Sequence, residues 1–246
     1  MILDYGNEKA GTWEGFLYNR AMYIGINLAI QPFSVGVLSE QNEFMGVSWQ
    51  VKTGLSEQVM QEIVNLCDRL GGSVQDIKGI TVIHGPGSYT GLRIGVTTAK
   101  SLAQTLSCPL YSLGTLSFLL RSYRGMQGLI LGVIPGRRTE LNIQLFGGYQ
   151  GGIREVSELF SIKTSALTRV LSGFKEPVMV VAGGIEDMSI FNDEVSVVPV
   201  SLSSYELALY ARSQETEAGS VKFNDVLPLY SHEPVTGSVN VTSRKE

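Results

Sequence analysis

The sequence predicts an α/β fold of two related lobes, each a mixed sheet flanked by helices. Three observations carry that expectation. Segments of strand-type and helix-type periodicity alternate along the chain. A succession of three strands, a helix and a strand running into glycine occurs twice, the second time in shorter form. The 43 % hydrophobic content over 246 residues is enough to build a real core in one large or two ordinary units. Residue identity between the two rounds is negligible, so the duplication rests on order alone.

The first round opens with Tyr23 to Ile30, Phe33 to Ser39 and Glu43 to Val51, three apolar or alternating runs that read as an antiparallel meander. From Ser56 to Leu70 the residues Val59, Met60, Ile63, Val64, Cys67 and Leu70 recur at helical spacing, and Gly71-Gly72 stops the run. Ile80 to Ile83 is a short strand of buried type that enters a glycine loop, and a second helical pattern follows from Tyr89 to Leu106. Pro109 to Ser112 reads as a strand and Thr115 to Arg124 as a helix.

The second round repeats the theme. Gly128 to Pro135, Glu140 to Gly147 and Gly152 to Leu159 are predicted strands, with tight turns at Pro135-Gly136 and Gly147-Gly148. Thr164 to Leu171 is a predicted helix and Val178 to Ala182 a strand ending at Gly183-Gly184. Ser203 and Glu206 have capping-box spacing at the head of a last helix, Ser203 to Arg212. The expected division is an N-terminal extension over 1–21, lobes over 22–120 and 121–230, and a polar tail over 231–246 that is mobile or held by a partner.

Composition excludes several classes of function. A net charge of −4 does not suit a surface that grips a phosphate backbone, which needs clustered Lys and Arg. The pairs Arg137-Arg138 and Arg244-Lys245 read most simply as solvated surface. Cys67 and Cys108 are too few for a four-ligand metal site or a disulfide framework, so reduced thiols and a cytoplasmic setting are expected. The segment from Met1 to Arg20 carries five charged residues and no apolar core, unlike a signal peptide. The longest apolar run, Leu129 to Ile134, is far short of the ~20 residues of a spanning helix.

The informative stretch is Gly85-Pro86-Gly87-Ser88-Tyr89-Thr90-Gly91-Leu92-Arg93-Ile94-Gly95. Glycines between a strand end and a helix start let backbone amides point outward, where the helix dipole favours an anion. The loop lacks the Lys-Ser/Thr ending of a Walker loop and the glycine spacing of a dinucleotide fold. A tight turn feeding a helix capped by Ser88 explains the same residues. His84 near Ser88 suggests a base beside a nucleophile, but no third orienting acid is evident and spacing alone cannot show a triad. His232, in the polar tail, reads as a surface residue.

This eleven-residue string closely resembles the signature of the TsaB (YeaZ) family and its catalytic paralogue TsaD. The similarity extends over about Tyr23 to Tyr230: Leu55-Ser56-Glu57 stands where the family starts its first helix, Arg137 to Phe146 resembles its second-lobe strand turn, and Leu227-Pro228-Leu229-Tyr230 its late proline-tyrosine motif. The resemblance implies an actin-like fold, of the superfold shared by ribonuclease H-like proteins, sugar kinases and heat-shock chaperones, with a nucleotide cleft that is degenerate or absent. Departures from the family pattern fall at Asn27-Leu28-Ala29, Leu55, Pro135 and His232. In active members of the superfold, carboxylates at the places of Asn27 and Pro135 organise a metal around phosphates. Phosphoryl transfer by this chain is therefore not expected.

The function implied is that of a non-catalytic scaffold in the modification of tRNA adenosine 37 with an N6-threonylcarbamoyl group. The implied partners are TsaD, the ATPase TsaE and, indirectly, tRNA, with a homodimer in isolation and no membrane. The resemblance places the partner contact on helices one and two, at Glu57, Met60, Val64, Cys67, Tyr89, Leu92, Arg93, Val96, Thr97 and Lys100. Helix two carries one stripe of Leu92, Val96, Ala99, Ala103 and Leu106 and another of Tyr89, Arg93, Thr97 and Lys100, edged by Gly91 and Gly95, which suits a close helix approach. No metal is expected and no cofactor held tightly by the chain alone, with ATP or ADP only at a subunit junction. Two rival functions stand beside this one: a small-molecule kinase of the same superfold, and a peptidase centred on Ser88.

Overall fold

Met22–Asn27 and Phe33–Ser39, mostly apolar and buried at every position, are covered on both faces and form β1 and β2, and Phe44–Trp49 completes the meander as β3. The structure, a computed structural model, describes residues 20–50, 54–150, 152–191, 195–214 and 225–230. The N-terminal extension up to residue 19 and the tail from 231, with His232, Arg244 and Lys245, lie outside the described residues.

Helix α1 (Leu55–Arg69) buries Leu55, Val59, Ile63, Leu66 and Cys67, a stripe of helical period. After it come β4 (Ile77–Gly85), α2 (Tyr89–Leu106), β5 (Leu110–Gly114) and α3 (Thr115–Leu119), the last continuing as a 3-10 turn to Tyr123. The strands form one sheet in the order β3-β2-β1-β4-β5, with the meander antiparallel and β4 and β5 parallel to β1. Helices α1 and α2 cover one face, packing Val59, Ile63, Val96, Ala99 and Ala103 on Ile24, Ile26, Val35, Val37, Ile80 and Val82.

The second sheet has the same plan. Strands β6 (Gly128–Pro135) and β7 (Glu140–Tyr149) are antiparallel, and β8 (Gly152–Glu155) and β9 (Phe160–Lys163) both pair along the far edge of β7. Helix α4 (Leu167–Ser172) leads to β10 (Val178–Gly183), β11 (Val197–Val200) and α5 (Ser204–Ser213). With β8 and β9 sharing the third place, the order β8/β9-β7-β6-β10-β11 repeats that of the first sheet, including the parallel pairs β6–β10 and β10–β11. The duplication expected from order alone is thus present in topology.

Several details differ from the sequence reading. Gly147 and Gly148 are not a turn but the end of β7, paired with Arg154 and Ile153, and the chain reverses after Tyr149. The single strand expected over Gly152 to Leu159 is two, because Ser157 leaves the ladder: its N–H shares the Leu145 carbonyl with that of Val156, while its Oγ accepts from Leu145 N at 2.9 Å. The 3-10 turn Thr164–Ala166 precedes α4, where one continuous helix was expected.

The halves exchange their closing helices. Helix α5, from the second half, lies on β1, β2 and β4, and α3, from the first, packs Leu116, Phe118 and Leu119 against Ile130, Ile134, Phe146 and Val181 of the second sheet. A β-carbon on Gly25 of β1 would meet the Ser204 carbonyl and Leu207; one on Gly132 of β6 would meet Leu116 at 2.9 Å. Glycine at both places lets a helix backbone approach its sheet closely.

Candidate functional site: an inter-sheet cleft and the outer face of α1 and α2

The residues 85–91 leave β4 and enter α2. Gly85 has a φ of +127°, a region that favours glycine, and the Pro86 carbonyl accepts a 2.6 Å hydrogen bond from Thr115 Oγ1. Ser88 caps α2 as expected, its Oγ accepting from Gly91 N at 3.2 Å. Its own N–H donates to the Ala29 carbonyl at 2.7 Å. A β-carbon on Gly87 would strike the Ala29 carbonyl, and one on Gly91 the Leu28 carbonyl. These signature glycines therefore seat α2 against the segment leaving β1. Two of the loop amides, those of Ser88 and Gly91, already have acceptors and Pro86 has no N–H, so an anion here could use only the amides of Gly87, Tyr89 and Thr90.

Asn27 shows why β1 ends where it does. Its side chain is fully buried, with Oδ1 accepting from Ala29 N at 3.1 Å and Ile30 N at 3.4 Å, while Nδ2 donates to the carbonyls of Ile30 at 3.1 Å and Pro32 at 3.0 Å. The amide is wholly engaged in shaping the β1–β2 turn, an Asx-type arrangement. It faces neither cleft nor solvent.

A cleft of about 840 Å³ opens between the sheets. Its walls are the β1–β2 turn at Ala29–Gln31, the start of α2 at Ser88 and Tyr89, the β6–β7 turn and the residues after β10 from Gly184 to Asp187. Of the two alternatives expected, a cleft degenerate or absent, a cleft is present, with Asn27 and Pro135 where the superfold's active members have carboxylates. Pro135 occupies one wall with the exposed Arg137 and Arg138, so the basic pair read as solvated surface also borders the cleft. Asn142 steadies this wall by donating to the Pro135 carbonyl at 3.3 Å and accepting from Ser161 Oγ at 2.6 Å. Asn142, Thr164, Glu186 and Asp187 escaped sequence reasoning; the strand-to-glycine step at Gly183-Gly184, which mirrors the one at Gly85, was the available signal. Without carboxylates at Asn27 and Pro135, the lining does not fit a magnesium nucleotide held as in an active member of the superfold. Among the described residues no three His, Cys, Asp or Glu side chains converge on a metal position.

His84 and Ser88 do not form a catalytic pair. The imidazole Nδ1 is buried without a partner, burial holds the His84 pKa below its ordinary value, and Ser88 Oγ is used in the cap. The thiols of Cys67 and Cys108 are buried, and burial pushes each pKa up to about 11, which leaves them protonated and unreactive at neutral pH.

The residues expected to face a partner divide into two groups. Glu57, Met60, Tyr89, Arg93 and Thr97 are exposed on one side of the α1–α2 pair, and Val64 and Lys100 are half-buried there. Cys67, Leu92 and Val96 are corrected: they are at most 3 % exposed, Cys67 and Val96 in the core on the first sheet and Leu92 in the cluster shared with Ile83, Leu116 and Ile130. The two stripes on α2 separate accordingly, Leu92, Val96, Ala99 and Ala103 inward and Tyr89, Arg93 and Thr97 outward. Lys100 Nζ donates to the Val226 carbonyl at 3.1 Å. That bond belongs to a strap over 225–230, which runs along α2, ties Leu229 N to the His84 carbonyl at 2.7 Å and stacks Tyr230 on Tyr89 at 4.9 Å between ring centroids. No helix among the described residues is long and apolar enough to cross a membrane.

Comparison with known proteins follows the same lines. Residues 46–217 match the family model described as TsaD, tRNA N6-adenosine threonylcarbamoyltransferase. The chain is 31 % identical over 132 residues to the tRNA threonylcarbamoyladenosine biosynthesis protein TsaB of Bacillus subtilis, a match covering 54 % of this chain and 57 % of that relative. It therefore spans little more than half the length of that relative. Among solved structures, YeaZ from Pseudomonas aeruginosa superposes with a TM-score of 0.64 at 19 % identity, over 85 % of this chain and 99 % of that one. An uncharacterized protein described as similar to peptidase YeaZ from Pseudomonas aeruginosa gives 0.65 at 18 % identity, over 86 % and 100 %. These two likenesses concern the fold, and with the match across most of the chain to the family model, this protein belongs to the TsaB (YeaZ) family of TsaD-like proteins.

Proposed function

We propose that this chain is a non-catalytic subunit of the machinery that makes N6-threonylcarbamoyladenosine at position 37 of tRNA, and that it binds and activates a TsaD-type paralogue through the outer faces of α1 and α2. One observation carries the reading. The two helices lie side by side on the first sheet, and their outer side presents Met60 and Tyr89 among Glu57, Arg93 and Thr97, a mixed apolar and polar face of the kind interfaces use. A partner of the same fold offers an equivalent helix pair, and two such pairs bury on the order of 800 Å² per partner, enough for a stable contact. The name of the Bacillus subtilis relative supports the pathway, and the described use of Asn27, Ser88 and His84 supports a role without catalysis.

In this reading the partner carries the chemistry, TsaE joins the pair, and tRNA is reached through the partner because the net charge of −4 disfavours direct binding. Nucleotide is held at a subunit junction, not by the chain alone. Mixing the chain with the TsaD of the same genome and measuring mass tests the contact. Met60→Glu and Thr97→Glu place charge on the outer face and abolish co-purification; unchanged association in both variants refutes the assignment.

The 840 Å³ cleft favours one second reading, a small-molecule kinase. Its weakness is Asn27, whose side chain is engaged and uncharged.

A further inference from the structure

An unpaired sheet edge is a template for another strand, and proteins blunt such edges with proline, charge or cover. Among the described residues this chain does so at four of them: β11 carries Pro199, β8 carries Arg154 and Glu155, β9 carries Lys163, and β5 is buried or half-buried along its length. Strand β3 is different. Phe44-Met45-Gly46-Val47-Ser48-Trp49 contains no proline and no charge, pairs among the described residues with β2 alone, and is exposed at Phe44, Met45, Gly46 and Ser48.

The hydrogen-bond pattern fixes which groups face outward. Ser39 N donates to the Glu43 carbonyl at 2.8 Å, and the register runs on through Val37–Met45, Val35–Val47 and Phe33–Trp49. Bonded and non-bonded pairs alternate in an antiparallel ladder, so the N–H and C=O of Phe44, Gly46 and Ser48 point away from β2. An identical strand fits those groups. With Gly46 opposite Gly46 of a second copy, Phe44 meets Ser48 on both sides of a two-fold axis, and Met45 faces Val47 at the positions between.

Nothing in that arrangement sets like charge against like, since the strand is neutral throughout. Gly46 leaves the axis uncrowded, and Phe44 already lies over it: a β-carbon at 46 would come 2.7 Å from Phe44 Cζ. Two such rings would cover the central glycines, as aromatic residues do beside strand glycines elsewhere. We propose that β3 pairs antiparallel with β3 of a second copy of this chain, joining two five-stranded sheets into one continuous sheet. The contact uses the sheet edge and leaves the outer face of α1 and α2 free for the partner described above.

Sedimentation velocity on the full chain over a wide concentration range tests this. Ser48→Pro removes an outward N–H while leaving the bonds to β2 in place, and Met45→Lys puts a cation beside the axis of each strand. Both weaken dimerisation roughly tenfold or more and keep the thermal midpoint of the parent chain. Met60→Glu, which breaks the helix-face contact, leaves this dimer intact. A chain that stays monomeric at every concentration overturns the proposal, as does a dimer that survives both β3 variants or one that is lost with Met60→Glu. Hydrogen exchange adds a further check: slow exchange at Phe44, Gly46 and Ser48 in the monomer would mean that another segment of the same chain covers the edge, and would also overturn it.

Discussion

Leu207 of α5 lies directly over Gly25 of β1, so close that a β-carbon added to the glycine would stand 2.6 Å from the Leu207 Cβ. No side chain fits between the strand and the helix. Gly25→Ala forces α5 away from the sheet and costs about 1–3 kcal/mol, the usual penalty for overpacking. Urea denaturation of the variant measures the loss as a lowered midpoint with an unchanged slope.

Val96 and Thr97 are neighbours on α2 with opposite fates, one buried and one exposed. A carboxylate at 96 enters the core against the first sheet without a partner, at a cost on the order of 3–5 kcal/mol. Val96→Asp therefore lowers the yield and melting point of the chain itself, whereas Thr97→Glu melts like the parent and loses only the partner. Thermal melts of the two variants, run beside the pull-down, separate folding from binding.

The engaged side chain of Asn27 and the lack of charge at Pro135 leave those two places without the carboxylates that would organise a metal at the phosphates. Calorimetry of the isolated chain with ATP and magnesium is expected to show no saturable binding tighter than about millimolar. Tight binding would favour the kinase reading.

Burial keeps the His84 imidazole neutral to lower pH than in the unfolded chain. The unfolded state thus takes up more protons as pH falls through and below about 6.5, and stability declines on acidification over that window while staying level above it. Denaturation midpoints at neutral and mildly acid pH reveal the slope, and His84→Gln reduces it.

Much of this was legible in the residues. Helix α2 runs over Tyr89–Leu106 as periodicity and the Ser88 cap predicted, and β2 and β6 have the predicted ends. The capping of α5 by Ser203 was readable as well, its Oγ accepting from Glu206 N at 3.3 Å. Strand β11 went unread because four residues containing Pro199 carry little pattern. Gly147-Gly148 misled because glycine pairs usually mark turns, while here Met126 crosses so near Gly148 that only glycine fits. At the candidate interface, helical period separated two stripes on α2 without saying which faced outward; for Cys67, Leu92 and Val96 only the position of the sheet decides. The strap over 225–230 depends on contacts more than a hundred residues apart in sequence, such as Lys100 with Val226, and no local signal announces it.

The exchange of α3 and α5 has a mechanical outcome. Each sheet is roofed by a helix that the other half of the chain supplies, so a fragment ending at β5 would leave Gly25 and its neighbours bare to water, and a fragment beginning at β6 would lack the cover over Gly132. Two halves that look like separable copies are interlocked, so neither is expected to fold alone, and heat or denaturant is expected to melt them in a single cooperative transition.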